Sequence, residues 1–426
     1  MSTFAIATLG CKVNSYESEY YHENLVLAGF QPTKFSEIAD IYLINTCCLT
    51  DVAVSKSKKL INRAKRLNPV AFIVVVGCLV QVYRQEVDKL AGVDLVCGSA
   101  GKKDLVKLIT ENYTKKQTKA LRIEAPFADF EDLTINDWQK TRAFLKIQDG
   151  CNQHCSYCII PQARGPHRSA DITQILASAE KLSEKHREIV LVGIHTGHFG
   201  NEKATNLCAL LKELAKLPNL QRIRLSSIEM TEISDELIDL MANERKIARH
   251  LHIPLQSGCT AILQVMNRPY EANGYLERLQ TIKSCLPGIS ISSDIMVGFP
   301  GETEDKWQAS YQTILACDFS FLHVFPYSAR ANTGAATMKN QVAPLIKKQR
   351  VTELLAYSQR QHEKYQRKFV GKEVEVLVET GKDNWAFGHS SEYLPIEISG
   401  TASRNELVKV KINNYSDHHL IAERIT

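Results

Sequence analysis

The sequence predicts an α/β protein in three parts: an N-terminal parallel α/β domain, a central partial (β/α)6 barrel and a small C-terminal antiparallel β-barrel. Three observations carry this. Over the first ~110 residues apolar runs and helical stretches alternate in the order βαβαβα, which demands a parallel sheet with crossover helices. Further on, the strand-then-helix pattern recurs in six units, fewer than a full eight-fold barrel needs. Past residue 370, apolar and polar residues alternate between turn signals, the mark of antiparallel strands. The expected boundaries are 1–114, a polar linker at 115–138, 139–369 and 370–426.

In order, FAIATL is a short strand stopped at Gly10, and a helix runs from there to Gly29. IYLIN is the second strand. Asp51 to Leu67 is helical until Asn68-Pro69 ends it. AFIVVV is apolar throughout, as a strand covered on both faces must be. A helix over Gln81 to Leu90 precedes VDLVCG. In the central part FLKIQ, EIVLVG, QRIRLSS, HLHIP, ISISSDIMV and FSFLHVF are strands, and a long polar helix from Ala343 to Phe369 closes the region. The tail carries six Lys or Arg against nine Asp or Glu, so it is net acidic, and it either shows a local basic face around Lys409 and Lys411 or docks on the core.

Composition excludes several classes. With 44% hydrophobic and 23% charged residues the chain is globular rather than disordered. Its longest near-apolar run, Val70 to Val80, is shorter than the ~20 residues of a membrane helix. MSTFAIATLG has no basic leader, so a cytoplasmic protein is expected. The net charge of +5 permits a nucleic-acid partner without requiring one.

Twelve cysteines in such a chain point to metal or redox chemistry rather than disulfides. Cys208, Cys285 and Cys317 lie among apolar neighbours and are expected in the core. Cys11, Cys47 and Cys78 each follow a strand of the first series. Parallel strands end on one edge, so three cysteines distant in sequence should converge there. Cys151, Cys155 and Cys158 form a C-x3-C-x2-C array after the first barrel strand. Thiolates so spaced can grip three irons of a [4Fe–4S] cube and leave the fourth without a protein ligand. The alternative is a zinc site with His154 as fourth ligand.

That array, with Tyr157 before its last cysteine, resembles the radical S-adenosylmethionine superfamily. TLGCKVNSYESE, NTCCLT, GCLVQ, IQDGCNQHCSYCIIPQARG, LVGIHTGHFG, RLSSIE, HLHIPLQSG, DIMVGFPGET and HVFPYS, in this order, resemble the methylthiotransferases, and the opening LGCKVN is most similar to the branch acting on N6-threonylcarbamoyladenosine in tRNA. The resemblance implies an N-terminal cluster domain, a radical core and a C-terminal TRAM domain. It implies two [4Fe–4S] clusters, one on Cys151, Cys155 and Cys158, the other on Cys11, Cys47 and Cys78. It further implies two S-adenosylmethionine molecules, one donating methyl and one yielding the 5′-deoxyadenosyl radical that activates C2 of adenosine 37. That C–H bond has no acidic proton, so a cofactor must do the hard step. Tyr157, Ser226, Ser227, Gln256 and Gly298 become candidate cofactor contacts, as strand-end or turn residues. The partners expected are the tRNA anticodon stem-loop, a low-potential donor such as a flavodoxin or ferredoxin, and a sulfur donor the sequence does not name. A monomer is expected.

For RNA, Lys56, Lys59, Arg63 and Arg66 share one helical face at i, i+3, i+7, i+10, and Arg164 and Arg168 lie just past the cysteine array. Ala170 replaces a further arginine of the family pattern, and Cys48 beside Cys47 is a second possible ligand. The same chemistry on isopentenyladenosine or a ribosomal protein is the sibling alternative. A non-catalytic RNA-binding protein that keeps a cluster for folding is the alternative of another class.

Overall fold

A computed structural model describes residues 1–89, 92–115, 121–123, 129–382 and 384–425. Much of the expected linker, 116–120 and 124–128, lies outside the described residues. The chain forms two compact units. One comprises Met1–Gln139, Lys146–Gln174 and Ser328–Thr333; the other comprises Lys140–Leu145, Ile175–Tyr327 and Gly334–Thr426. The segment bearing Cys151, Cys155 and Cys158 therefore groups with the N-terminal sheet.

In the first unit the strands are β1 (Thr3–Thr8), β2 (Gln31–Pro32), β3 (Ile41–Thr46), β4 (Phe72–Gly77), β5 (Leu95–Cys97) and β6 (Leu121–Ile123). They make one sheet in the order β2-β1-β3-β4-β5-β6, every pair parallel. The pleat sends alternate residues to opposite faces. Tyr42, Ile44, Ile73 and Val75 pack on one side, while Ile41, Leu43, Phe72 and Val74 pack on the other. Helices α1 (Lys12–Leu27), α2 (Asp51–Leu67), α3 (Cys78–Val82), α4 (Arg84–Asp88) and α5 (Leu105–Lys115) follow the strands. Thr50 caps α2 by accepting from the Ala53 amide at 3.2 Å, and Lys65 and Arg66 occupy its last turn, where cations suit the helix dipole.

Strand β7 (Ala143–Lys146) begins the second series. After it, β8 (Gln148–Asp149) pairs antiparallel with β9 (Arg168–Ser169) around a loop that includes α6 (Ile160–Arg164). Helix α7 (Ile172–Lys185) then leads to β10 (Glu188–Val192), β11 (Arg222–Leu225), β12 (His250–His252), β13 (Ser290–Val297) and β14 (Phe321–Pro326). Two sheets, β7-β10-β11 and β12-β13-β14, meet through the parallel bridge Ser227↔His252, giving the open six-stranded barrel predicted. Cys208 and Cys317 are buried. Cys285 is exposed, correcting its core assignment: it ends the helix Ala272–Cys285, whose buried stripe is Ala272, Tyr275, Leu279 and Ile282.

The tail forms the expected closed barrel, β15 (Glu373–Lys382), β16 (Trp385–Ser390), β17 (Pro395–Ser399), β18 (Leu407–Ser416) and β19 (His419–Arg424), in the order β15-β16-β17-β19-β18, but not an all-antiparallel one: β17 and β19 pair parallel. It docks on the open barrel within the second unit. Arg222 donates to the carbonyls of Glu375 and His389, and Arg224 to those of Ser390 and Ser391, at 3.0–3.1 Å. Arg142 pairs with Glu379 at 3.0 Å, so part of the tail's acidity faces core arginines. Beneath them Glu188 is fully buried and holds both guanidinia.

Burial alone would raise the Glu188 carboxyl, but Arg224 and Arg222 outweigh it and hold it at about 2, against 4.5 for an ordinary glutamate. Its ionised form therefore contributes about 3 kcal/mol above pH 4.5, a contribution lost as the pH falls through 2. Glu188→Gln is expected to lower the unfolding free energy at neutral pH by about 3 kcal/mol in urea titrations, with parent and variant converging as the pH falls below 4.5.

Candidate functional site

The first cysteine trio lies on the C-terminal edge of the parallel sheet. Cys11 follows β1 and precedes α1, Cys47 follows β3, and Cys78 opens α3 directly after β4. Two glycines make the approach possible. Gly10 has φ +103°, and a Cβ there would stand 3.0 Å from Cys47 Cβ. Gly77 has the same φ, and a Cβ there would lie 2.7 Å from Asn45 Oδ1. The three thiols are near enough to influence one another's ionisation, so the structure brings together what the strand pattern predicted.

Their protonation is uneven. Burial pushes Cys11 up and Cys47 up to about 12. Cys78 goes the other way, to about 6: Cys48 donates its hydrogen to it, and the Arg164 guanidinium outweighs what remains of the burial effect. Cys48 belongs to the hydrophobic cluster on one face of the sheet, with Ile61, Leu79 and Ala163. The Cys47 thiol feels Cys11 and Cys78, whereas Cys48 feels Cys78 and Cys47. Cys47 Sγ lies 3.2 Å from where a Cβ on Gly10 would stand, next to Cys11, while Cys48 hydrogen-bonds Cys78, so both thiols border the site.

Sequence reasoning missed the polar layer behind these thiols. Asn14 and Glu17, in the first and second turns of α1, are buried, as are Lys102, Lys146 and Asp149. Arg164 joins them. Its Nε donates to Cys78 Sγ at 3.3 Å, Nη2 donates to Asn14 Oδ1 at 2.8 Å and Glu17 Oε2 at 3.2 Å, and Nη1 pairs with Glu17. Asp149 Oδ2 takes Lys146 at 2.7 Å and lies 3.5 Å from Arg164 and Arg168. Burial would raise Glu17, but Arg164 and then Lys102 hold it at about 2; Asp149 likewise sits well below the usual carboxylate range because Lys146 and Arg164 outweigh its burial. The available signal was the polar stretch Asn14 to Ser18 on the buried face of α1.

Arg164 and Arg168 were expected to touch RNA. The structure corrects this: Arg164 is 0% exposed, and Arg168 is buried with Nη1 donating to the carbonyls of Arg164 and Pro166. Lys56, Lys59, Arg63 and Arg66 are exposed on α2.

The second trio sits on the β8–β9 loop. Gln148 Nε2 donates to the carbonyls of Asp149 and Gly150, the Cys151 amide to Gly165, and the Cys158 amide to the Cys155 carbonyl. Cys151, Cys155, Tyr157 and Cys158 are half-buried, and His154 is exposed. Ile159 and Ala163 anchor the loop in the same hydrophobic cluster as Cys48 and Cys78.

In the second unit Ser226 and Ser227 follow β11, and Gln256 follows β12 with φ +66°. Ser226 Oγ and Gln256 Oε1 are buried polar atoms with no partner among the described residues, as groups awaiting a polar ligand would be. Gly298 fits less well, since its amide already donates to the Glu302 carboxylate. His195, His198 and Glu232, which the sequence did not single out, converge near Ser227, whose carbonyl accepts from Thr196.

Residues 145–314 match the radical SAM superfamily, and residues 3–98 match the uncharacterized protein family UPF0004. The fold is similar to that of TsrM, a radical S-adenosylmethionine methyltransferase from Kitasatospora setae, with a TM-score of 0.57 at 14% identity over 79% of this chain and 74% of that one. An open parallel barrel with three cysteines on the loop after its first strand is thus the core of a radical S-adenosylmethionine enzyme, a class built on a [4Fe–4S] cluster and that cofactor. The chain is 39% identical to the threonylcarbamoyladenosine tRNA methylthiotransferase MtaB of Bacillus subtilis, over 97% of this chain and 94% of the relative. It is 37% identical to the Aquifex aeolicus protein of the same name, over 96% and 99%. It is 31% identical to a tRNA-2-methylthio-N(6)-dimethylallyladenosine synthase of Clostridium novyi, over 99% and 96%. The chain belongs to the radical SAM methylthiotransferase family. No helix among the described residues is long and apolar enough to cross a membrane.

Proposed function

We propose that this enzyme adds a methylthio group to C2 of N6-threonylcarbamoyladenosine at position 37 of tRNA, with two [4Fe–4S] clusters and two S-adenosylmethionine molecules. The observation that carries the reading is the tie between the two cysteine trios. Arg164, one helix past Cys158, donates to Cys78, and both trios belong to one compact unit. Relatives described by the threonylcarbamoyladenosine name reach 39% identity, and those described by the dimethylallyladenosine name reach 35%.

The residues suit these groups. Each trio offers three cysteine ligands; at the edge of the first, Cys48 bonds to Cys78 and Cys97 to the Ala100 carbonyl, so in this reading three protein ligands per cluster leave a coordination position for a non-protein ligand. Clusters and cofactor together supply the single-electron chemistry, the hydrogen-abstracting radical and the sulfur. Cys151, Cys155 and Cys158 hold the first cluster; Cys11, Cys47 and Cys78 hold the second. Cys78, with its lowered pKa, is ready to ligate as thiolate. Ser226 Oγ and Gln256 Oε1 orient polar groups of the cofactor. A flavodoxin- or ferredoxin-like protein delivers the electron, and the chain acts as a cytoplasmic monomer. The domain boundaries read from the sequence, 1–114, 139–369 and 370–426, remain the proposed division into cluster, radical and TRAM domains.

Lys56, Lys59, Arg63 and Arg66 present four cations along one exposed face, in a helix after the strand that leads to Cys47. They contact tRNA phosphates in this reading. Replacing all four with alanine is expected to reduce the slope of log affinity against log salt by about 3, at roughly 0.7–0.9 per phosphate. An unchanged slope in filter binding across salt concentrations would exclude this face.

The substrate is tested by mass spectrometry of tRNA nucleosides from a strain lacking the gene. The expected result is loss of 2-methylthio-N6-threonylcarbamoyladenosine with its unthiolated precursor retained. If only the 2-methylthio derivative of isopentenyladenosine disappears, the sibling substrate is the correct one.

A further inference from the structure

The buried charges in the first unit do not balance. Among the described residues Lys102, Lys146 and Arg164 share two carboxylates, Glu17 and Asp149, and Arg168, buried 3.5 Å from Asp149, is a further cation on the same pair. Lys102, Lys146, Arg164, Glu17 and Asp149 are at most 4% exposed. These three cations against two anions, with Arg168 drawing on Asp149 as well, leave at least one surplus positive charge away from water. Such a charge is costly unless an anion lies beside it. The group facing the surplus is Cys78: Arg164 Nε lies 3.3 Å from its sulfur, and Cys11 bonds to Asn14 Oδ1, the same atom that accepts from Arg164 Nη2.

The arithmetic of a cluster fits this surplus. A [4Fe–4S] core of charge +2 on three thiolates carries one net negative charge, and after one-electron reduction it carries two. An N–H donated to a ligand sulfur and a fixed cation beside it both favour the more negative, reduced form. Arginine keeps its proton throughout, so the charge is permanent. Asp149 and Glu17 hold the fork in place, and Asp149 offsets part of its field.

We propose that Arg164 is a positioning residue that sets the reduction potential of the cluster on Cys11, Cys47 and Cys78. It reaches that site from the helix following the other trio, so the loop that holds one cluster tunes the second. This rests on the reading that the first trio holds a cluster. The redox step is a single-electron reduction of the core from +2 to +1 by an external reductant; no bond to cysteine forms or breaks.

The test uses the full chain with Cys151, Cys155 and Cys158 all replaced by alanine, so that the remaining iron reports on one site. After anaerobic reconstitution, the midpoint is measured by dithionite titration with electron paramagnetic resonance. Arg164→Gln is expected to move the midpoint to more negative potential. Arg164→Lys, which keeps charge without the fork, should fall between Arg164→Gln and the parent. Asp149→Asn, which unmasks positive charge, should move it to more positive potential. If Arg164→Gln fails to take up iron, the opposite displacements of Arg164→Lys and Asp149→Asn decide the question. Identical midpoints in iron-loaded parent, Arg164→Lys and Asp149→Asn overturn the proposal. In the same background Cys78→Ala should abolish the cluster signal; iron retained with the signal unchanged would instead overturn the underlying assignment of the trio.

Discussion

A buried guanidinium has to find anions, and Arg164 finds them on separate stretches of chain: Glu17 on α1 and Asp149 just before the Cys151 loop. Its third direction points at a cysteine sulfur. Removing any one partner would strand charge in a dry interior, at a cost on the order of 3–5 kcal/mol. The network therefore fixes the register of the Cys151 loop against the edge that carries Cys11, Cys47 and Cys78.

The second unit uses the same device for another purpose. Glu188 on β10 holds Arg222 and Arg224 from β11, whose free N–H groups reach carbonyls of the closed C-terminal barrel. Main-chain carbonyls carry no sequence signature, so the docking depends on the fold of the small barrel rather than on its side chains. Its net acidity then becomes intelligible, since Glu379 meets Arg142.

The sheet architecture was legible because strand burial writes itself into composition. IYLIN and AFIVVV are apolar because both their faces are covered, and the C-terminal alternation appears because a small barrel has one inside. Convergence of Cys11, Cys47 and Cys78 followed from strand direction alone. Arg164 and Arg168 misled because a cation's burial depends on partners distant in sequence: Glu17 lies 147 residues before Arg164. Cys285 misled for a smaller reason, a helix stripe that passes to Leu286 instead. The grouping of the Cys151 loop with the N-terminal sheet follows from this long-range ion pairing, which no local pattern announces.

The most direct measurement is iron-edge anomalous diffraction from crystals of the anaerobically reconstituted protein. The expected map has two iron peaks, one against Cys151, Cys155 and Cys158 and one against Cys11, Cys47 and Cys78, with Cys48 turned into the core and Arg164 still bonded to the Cys78 sulfur. A single peak, or an Arg164 swung out to solvent beside an iron-free first trio, would contradict the account.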